Sequence, residues 1–202
     1  MISLNPESLN ERENYKFLTG SIIPRPIALV LTKSANGTVN IAPFSFFNIV
    51  SSNPPMISIS VQRKEGASKD TARNAIQTGE FVVHITDEEN VAEANRTAKE
   101  LPPEESELGL TNFTTTESDV LSVPGLLEAK VRFECTLEKS IPLAGTLEKP
   151  GCDLLIGKIV RYHIKQDIYR NGRIDPNGLK PVARLAGQTY TKLGESFDIV
   201  RP

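Results

Sequence analysis

The segment NIAPFSFFNIVSSNPP, residues 40–55, combines aromatic, hydroxyl and amide side chains in a pattern suited to holding a flat ring. Its three phenylalanines could form apolar walls, while Ser45, Asn48 and Ser51 could pair with the nitrogens and carbonyls of a heteroaromatic ligand. Pro43 cannot donate to a sheet ladder, which predicts an irregular backbone rather than a central strand. Composition alone supports equally well a core strand followed by a Pro-Pro turn.

A second segment, SKDT at residues 68–71, stands at the predicted start of a helix and could bind phosphate. The first turn of a helix presents unpaired N–H groups and a partial positive charge. Lys69 adds a cation, and Ser68 and Thr71 add hydroxyl donors. Asp70 would cap the helix or orient Lys69, and Ser68 could also act as the cap. Alone, the pattern is more typical of a simple helix cap. Combined with the ring-binding segment, it favours flavin mononucleotide (FMN) as a ligand.

Arg25 lies between two prolines just before the first predicted strand. Because Pro26 biases the preceding residue toward an extended conformation, the guanidinium is expected to be fixed in place. It could meet a phosphate or the electron-rich pyrimidine end of a flavin, or it could form a surface ion pair. The sequence does not distinguish these alternatives.

Side chains that usually supply a nucleophile, a general base or a metal site are sparse. The two histidines, His84 and His163, lie on strand patterns; we expect His84 to be packed and His163 to be solvated. Cys135 shares the core face of its strand, and Cys152 forms no CxxC pair with it. There is no G-x-S-x-G nucleophile motif. We therefore predict no catalytic side chain and no metal, which leaves the reactive chemistry to a cofactor.

The elements around these segments predict a mainly β fold with short helices. Helices are predicted over 7–20, 68–80 and 87–101, and strands over 26–33, 38–42, 56–61, 81–86, 131–141 and 153–165. In the strand 56–61, apolar residues alternate with Ser58 and Ser60, which predicts one apolar and one polar face. Asn36-Gly37 predicts a hairpin turn, Gly79 predicts the end of the second helix, and Gly157 predicts a bulge or bend. Without regular βαβ alternation or a G-x-G-x-x-G motif, an antiparallel barrel or sandwich is favoured over a Rossmann fold.

Length and composition fit one domain over residues 1–202, with a core at about 20–165 and a tail, 166–202, that closes over the site or a dimer interface. The formal charge of −2 and the isoelectric point near 5.8 argue against nucleic-acid binding. No segment has the roughly 20 apolar residues of a membrane span, and the N-terminus lacks the pattern of a signal peptide. We therefore expect a cytoplasmic protein without membrane contact.

Three segments together resemble the flavin-reductase-like, FMN-binding split-barrel family, of the flavoredoxin and short-chain flavin reductase type. They are IIPRPIALVLT, NGTVNIAPFSFFNIVSSNPPMISISV and KDTARNAIQTGEFVVHI, and RLAGQTYTKL at 184–193 is similar to the family's closing segment. The resemblance implies an antiparallel six-stranded split β-barrel with Greek-key connectivity. It also implies a homodimer with FMN bound near the subunit interface.

The same resemblance implies which residues contact the cofactor. The ring system would lie along Ala42, Pro43, Phe44, Ser45, Asn48 and Ser51, with Ser60 facing it; Lys69, Asp70 and Thr71 would hold the ribityl phosphate, and Tyr190 would approach from the tail or the partner subunit.

The implied activity is that of an NAD(P)H-dependent flavin reductase, in which hydride passes from a nicotinamide to flavin N5. Electrons would then reach oxygen, a free flavin or a partner protein. Two alternatives stay open: a non-enzymatic FMN carrier or electron-transfer protein, and a barrel that has kept the fold but lost the cofactor. The sequence does not distinguish NADH from NADPH.

Overall fold

A computed structural model describes residues 1–102, 105–146 and 148–201, and β-strands dominate it. The helices are α1 (Glu11–Ser21), α2 (Asp70–Thr78), α3 (Val91–Arg96) and α4 (Pro176–Leu179). The strands are β1 (Arg25–Pro26), β2 (Ala28–Lys33), β3 (Val39–Phe44), β4 (Phe47–Ser52), β5 (Pro55–Gln62), β6 (Glu80–Ile85), β7 (Thr115–Thr116), β8 (Gly125–Leu126), β9 (Val131–Gly145), β10 (Pro150–Ile164), β11 (Tyr169–Arg170), β12 (Arg173–Ile174), β13 (Val182–Arg184) and β14 (Tyr190–Lys192). Short 3-10 helices span Pro6–Ser8, Glu107–Leu110 and Gln166–Ile168.

The main sheet is antiparallel and has seven strands in the order β3-β2-β6-β9-β10-β5-β4. Its two edge strands, β3 and β4, are consecutive in the chain and joined only by Ser45 and Phe46. At this junction the Ser60 N–H of β5 donates to the Phe46 carbonyl across 2.8 Å. The sheet therefore curves until the end of β3 reaches the start of β4, although the two edge strands do not pair with each other. The predicted split-barrel class is confirmed, with one strand more than the six expected.

The seventh strand arises because the 40–55 segment is more regular than predicted. Residues 40–44 continue β3, and residues 47–52 form β4, so only Ser45, Phe46 and Asn53-Pro54 lie outside strands. Pro43 nevertheless obeys the rule that proline avoids central strands, because β3 is an edge strand. Along β3, the backbone N–H and C=O groups of Val39 and Ile41 point away from β2, toward Ser106 and Glu107. Pro43 has the same orientation, so the N–H group that proline lacks would have had no partner in a neighbouring strand.

Apolar side chains fill both the inside of the barrel and the space beneath its outer elements. The inner cluster includes Ile57, Ile59 and Val61, which alternate with serines along β5 as predicted. Ala72 and Ala75 of α2 close one end of this cluster. A second cluster on the other face of β2 and β6 packs against α3 and residues 121–129. Strands β2 and β6 are thus buried on both faces, which accounts for their continuous apolar runs.

The hairpin of β9 and β10 is the longest element, and its irregularity at Gly157 confirms the predicted bulge. The register shifts between Ile156 and Gly157. A Cβ atom on Gly157 would lie 2.2 Å from Cζ of Phe81, a side chain fully buried in the barrel. Glycine therefore lets the aromatic ring occupy the space in front of β10.

The helices differ from the predictions at their ends. α1 begins at Glu11 rather than near residue 7, because Asn10 and Glu13 form a capping box. α3 covers only six residues of the predicted 87–101 helix. The Asp87 carboxylate accepts from the N–H groups of Glu89 and Asn90 at 2.9 and 3.1 Å. This local turn delays the start of the helix to Val91.

The C-terminal segment lies against the barrel through a small sheet of order β1-β13-β14. Lys130 also connects this segment to the barrel, because its buried ammonium donates to Glu89 at 2.7 Å and to the Gly178 carbonyl at 3.2 Å. Beyond Lys192 the described residues have no regular structure and are exposed. Among the described residues, every helix is too short or too polar to cross a membrane.

Candidate functional site

A cleft of about 290 Å³ lies between the outer edge of β3, the start of α2 and the residues that follow α3. It gathers six of the residues predicted to bind the cofactor: Ala42, Pro43, Phe44, Lys69, Asp70 and Thr71. The fold brings them together because β3 and the start of α2 pack side by side, although the chain runs through β4 and β5 between them. We refer to this space as the first cleft.

The first turn of α2 faces the first cleft without a side-chain cap. Lys69 stands at the N-cap position, and no side chain of the described residues accepts from the N–H groups of the turn. The predicted caps are wrong: Ser68 donates to Asp153 at 2.9 Å, and Asp70 pairs with Arg73 one turn later. Gly79 ends the helix at φ 74°, as predicted. The start of α2 therefore keeps its N–H donors available for an anion.

The loop that carries Lys64 and Lys69 is anchored rather than free. Arg63 binds Asp153 through two hydrogen bonds of 3.0 and 2.6 Å, and Asp153 is almost fully buried. Arg63 also donates to the Gly66 carbonyl at 3.1 Å. A planar guanidinium bound through two nitrogens to a buried carboxylate fixes both position and orientation. The loop that positions Lys64 and Lys69 beside the first cleft is therefore held in a fixed conformation.

The floor of the first cleft is polar and buried. Asn40 Nδ2 donates to Thr71 Oγ1 at 3.0 Å, and both side chains are at least nine-tenths buried. Glu107 also lies in the floor, where its Oε2 accepts from the Ile41 N–H at 3.2 Å. The sequence analysis missed Asn40 and Glu107. Asn40 stands in the segment that was singled out, but Glu107 carries no local signal.

A second cleft, of about 240 Å³, continues from the first, since Pro43 and Ala98 line both. It contains three further predicted residues, Arg25, Ser45 and Tyr190. The Tyr190 hydroxyl donates to Asn95 Oδ1 at 2.9 Å, and the Arg184 guanidinium lies 4.5 Å from the centre of the Tyr190 ring. The second cleft thus offers aromatic and apolar surface together with cations.

Arg25 borders the second cleft but does not form the surface ion pair considered above. It is 7% exposed, and its guanidinium donates to the carbonyls of Thr19, Ile22 and Leu185 at 2.5–2.9 Å. It therefore joins the C-terminal end of α1, where positive charge is favoured, to the segment after β13. Its Nε is buried without a partner among the described residues.

Three predicted contacts lie outside both clefts. Asn48 lines a third, apolar groove beside α1, which shares Arg25 and Ser45 with the second cleft, and its Oδ1 accepts from the Ile49 N–H. Ser51 accepts from the Asn53 N–H, and Ser60 accepts from Gln62 Nε2 at 3.1 Å. Their hydroxyl and amide groups are engaged locally in strands β4 and β5.

The two histidines serve the fold. His84 is fully buried; Nδ1 donates to the Leu29 carbonyl at 3.0 Å, and Nε2 accepts from the Leu126 N–H at 2.9 Å. Because one partner can only accept and the other can only donate, the ring is neutral, and burial lowers its pKa to about 3. The packed His84 was predicted correctly. Burial likewise raises the pKa of the Cys135 thiol, which removes it as a nucleophile.

The prediction of a solvated His163 is wrong. Its Nε2 lies 2.6 Å from Oε1 of Glu134, a carboxylate with no exposed surface. Glu134 also accepts from the N–H groups of residues 119–121. Burial alone would raise the pKa of Glu134, but these hydrogen bonds lower it overall. Asp119, Glu134 and His163 cluster closely enough to consider a metal. The Glu134 oxygens, however, are already committed to holding the 119–121 loop.

The barrel and its joined clefts define the protein as a split-barrel flavoprotein oxidoreductase. The flavin reductase like domain matches residues 19–178, and the chain belongs to that family. Nitrilotriacetate monooxygenase component B from Bacillus cereus is 58% identical, with a TM-score of 0.97 and 98% of each chain covered. The 2-nitrobenzoate 2-nitroreductase of Pseudomonas fluorescens is 28% identical, with a TM-score of 0.89 and coverage of 100% of this chain and 96% of that one.

A protein with a split barrel domain from Shewanella frigidimarina is 19% identical, with a TM-score of 0.83 and both chains fully covered. At that identity the likeness shows the fold alone.

Proposed function

We propose that the protein is an FMN-dependent NAD(P)H:flavin reductase. The observation that carries the proposal is the uncapped start of α2, which lies with Lys69 and Thr71 in a cleft that continues into a second, aromatic cleft. Membership of the flavin reductase like family and the likeness to a monooxygenase component B support the same activity.

The first cleft fits the phosphate end of FMN. The free N–H groups at the start of α2 and the Lys69 ammonium attract an anion, and Thr71 supplies a hydroxyl donor. Lys69 is exposed and, within the described ranges, forms no ion pair, so its charge is not already neutralised. Asn40 fixes Thr71 from below. These groups bind and orient the phosphate.

The second cleft fits the ring end. Pro43 joins the two clefts and gives an apolar wall without an N–H group, and Ser45 follows at the junction of the sheet edges. The Arg25 guanidinium borders this cleft and would place positive charge beside the ring carbonyls. Bound FMN would supply the hydride-accepting and electron-donating chemistry. The protein's part is to hold the ring between rigid elements and to limit access of water.

No side chain is required as a general acid or base in this scheme. His84 is neutral and buried away from the clefts, and the Cys135 thiol is shielded inside the barrel. The expectation that reactive chemistry is left to the cofactor agrees with this arrangement. A nicotinamide would reach the cofactor through the second cleft, where Tyr190 and Arg184 offer stacking and charge.

A homodimer is part of the proposal. The edge strand β4, FNIVSS, carries no charged residue, and Ile49 and Val50 are 78% and 48% exposed. Stable proteins usually protect such an edge with charges, proline or a covering element. A second copy of the chain would cover it. Replacing Ile49 with lysine should then shift the mass measured by light scattering toward the monomer; a monomeric parent protein would contradict the dimer.

The electron acceptor in this proposal is a free flavin or an oxygen-using partner protein in the cytoplasm. One similar structure is named as component B of a nitrilotriacetate monooxygenase, which supports a partner of this kind. The name of the Pseudomonas fluorescens relative, 2-nitrobenzoate 2-nitroreductase, gives a nitroaromatic compound as its substrate instead. Oxygen uptake with added partner, and nitroarene reduction in its absence, would separate these acceptors.

The phosphate assignment is tested by titrating FMN and riboflavin into the Lys69→Ala variant and following flavin fluorescence. We expect FMN affinity to fall by about tenfold, the effect of one lost charge-assisted hydrogen bond, while riboflavin affinity changes little. Lys158→Ala, which removes an exposed lysine on β10, is the matched control. Equal losses for both flavins would contradict the assignment.

A further inference from the structure

Glu107 places a carboxyl group where the proposed anion binds. It is the first residue of the 3-10 helix Glu107–Leu110 and is 6% exposed, yet it lines the first cleft. Ser106 anchors this helix by donating to the Val39 carbonyl at 2.5 Å. The Ile41 N–H donates to Glu107 Oε2 at 3.2 Å. The side chain is therefore held against the β3 edge.

A buried carboxylate normally has a cationic partner, but Glu107 pairs with none among the described residues. The other charged residues that line the first cleft are Lys64, Lys69, Asp70, Lys99 and Glu100. Lys64 pairs with Glu100 at 2.6 Å, and Asp70 pairs with Arg73. The neighbouring negative charge of Asp70 remains close enough to act on Glu107.

These surroundings disfavour the ionised form of Glu107. Desolvation by burial raises its pKa; the hydrogen bonds from its own N–H and from that of Ile41 lower it, Asp70 raises it, and the net direction is upward. A phosphate dianion in the same cleft would add a second like charge. The ionised carboxylate and the bound phosphate thus oppose each other, and the neutral carboxyl gains an O–H donor.

We propose that Glu107 takes up one proton from solvent when flavin phosphate binds, so that its neutral carboxyl donates a hydrogen bond to the ligand. This inference rests on the proposed binding of FMN in the first cleft. It makes Glu107 a binding residue that couples flavin affinity to pH.

The sign of the coupling follows from the proton uptake. Affinity for FMN falls as pH rises through the range in which free Glu107 is ionised, by at most about tenfold per pH unit for one proton. Phosphate monoesters have a second pKa of about 6. At lower pH the phosphate therefore gains its second negative charge as the pH rises, which raises its affinity for the cationic cleft and opposes the effect of Glu107. Lysine ammonium groups titrate near ~10, above the range to be measured.

The test compares dissociation constants for FMN in the parent protein and Glu107→Gln between about pH 6 and pH 8.5. Glutamine retains an oxygen for the Ile41 N–H and supplies a permanent neutral donor. We expect the parent to lose affinity relative to the variant by about threefold or more across this range, within the limit for one proton. The riboflavin affinities of the two proteins, measured in parallel, should diverge far less.

Proton uptake by the parent protein provides a measurement that does not depend on the variant's folding. Isothermal titration of FMN in two buffers of different ionisation enthalpy should give enthalpies that differ in proportion to the protons taken up. Identical pH profiles in parent and variant, or buffer-independent enthalpies across the pH range, would overturn the role of Glu107. Failure of the parent to bind FMN at every pH would overturn the proposed function as well, so the two failures are distinct.

Discussion

Asn40 and Thr71 connect the open edge of β3 to the first turn of α2, through a hydrogen bond of 3.0 Å from Nδ2 to Oγ1. Thr71 is buried beneath the first cleft and accepts from Asn40, so its own hydroxyl hydrogen is free to point elsewhere. The two residues are 31 positions apart. This contact is what aligns the sheet edge with the helix start to form the proposed phosphate site.

Replacing Thr71 with valine should weaken FMN binding and also destabilise the protein. The isosteric change removes the donor to the ligand, and it leaves the Asn40 amide buried without its acceptor. We expect a loss in affinity of about 5- to 15-fold and a loss in stability of about 1–3 kcal/mol. Fluorescence titration and urea unfolding measure the two effects. Thr71→Ser, which keeps the hydroxyl, should retain most of both; equal losses in the two variants would refute the hydroxyl's role.

Gly157→Ala should destabilise the barrel without a direct effect on the clefts. The new Cβ would stand 2.2 Å from Phe81 Cζ, so the ring must move in a closely packed core. Overpacking of this kind costs about 1–3 kcal/mol. Gly20→Ala is the matched control: its Cβ meets nothing within 4 Å and it lies inside α1. That variant should gain up to about 1 kcal/mol. A melting temperature unchanged by Gly157→Ala would contradict the packing.

His84 should make the free energy of unfolding decrease as the pH is lowered below about 6.5. Its pKa falls from 6.5 to about 3 on folding, so between these values the unfolded chain binds a proton that the folded protein does not. Stability due to this group is therefore complete above pH 6.5 and is lost as pH falls, by up to about 1.4 kcal/mol per pH unit.

Urea unfolding at several pH values, in the parent and in His84→Gln, separates the effect of His84 titration on stability from the effect of carboxylate titration. The variant is expected to be less stable at neutral pH because the two buried hydrogen bonds are disturbed. Its slope against pH should nevertheless be smaller than that of the parent. Parallel slopes in the two proteins would show that His84 is not the titrating group.

Arg25→Lys should loosen α1 from the C-terminal segment. Lysine keeps the charge, but it cannot reach the carbonyls of Thr19, Ile22 and Leu185 in the geometry of a planar guanidinium. We expect a stability loss of about 2 kcal/mol, since hydrogen bonds to charged groups contribute about 1.5–3 kcal/mol. Amide hydrogen exchange should be faster in residues 11–21 and 182–192. Unchanged exchange in both segments would contradict the bridging role.

The sequence predicts those parts of the fold that local patterns determine. The β2–β3 hairpin, the alternating strand β5, the glycine end of α2 and the bulge at Gly157 are all confirmed. Each depends on residues close in sequence. The extent of α3 was wrong for a local reason as well, because the Asp87 side chain competes with the helix for N–H groups.

The grouping of the predicted site residues followed from the sequence where one segment supplies several of them, as in residues 42–45 and 69–71. It was not predictable where a contact joins distant segments. Arg25 binds the Leu185 carbonyl, 160 positions away, and Glu107 meets Ile41 across 66 positions. The Ser68 hydroxyl does not cap α2 as expected, because it donates to Asp153, 85 positions later. Such choices depend on how the barrel closes, which periodicity and turn residues do not specify.

The most direct test of the account is the visible absorption spectrum of the purified protein titrated with FMN, followed by anaerobic addition of NADH or NADPH. The account predicts a yellow complex whose flavin absorbance bleaches on addition of a nicotinamide. A yellow complex that does not bleach with either nucleotide would contradict the reductase activity and favour an electron carrier. A protein that stays colourless with excess FMN would contradict the site itself.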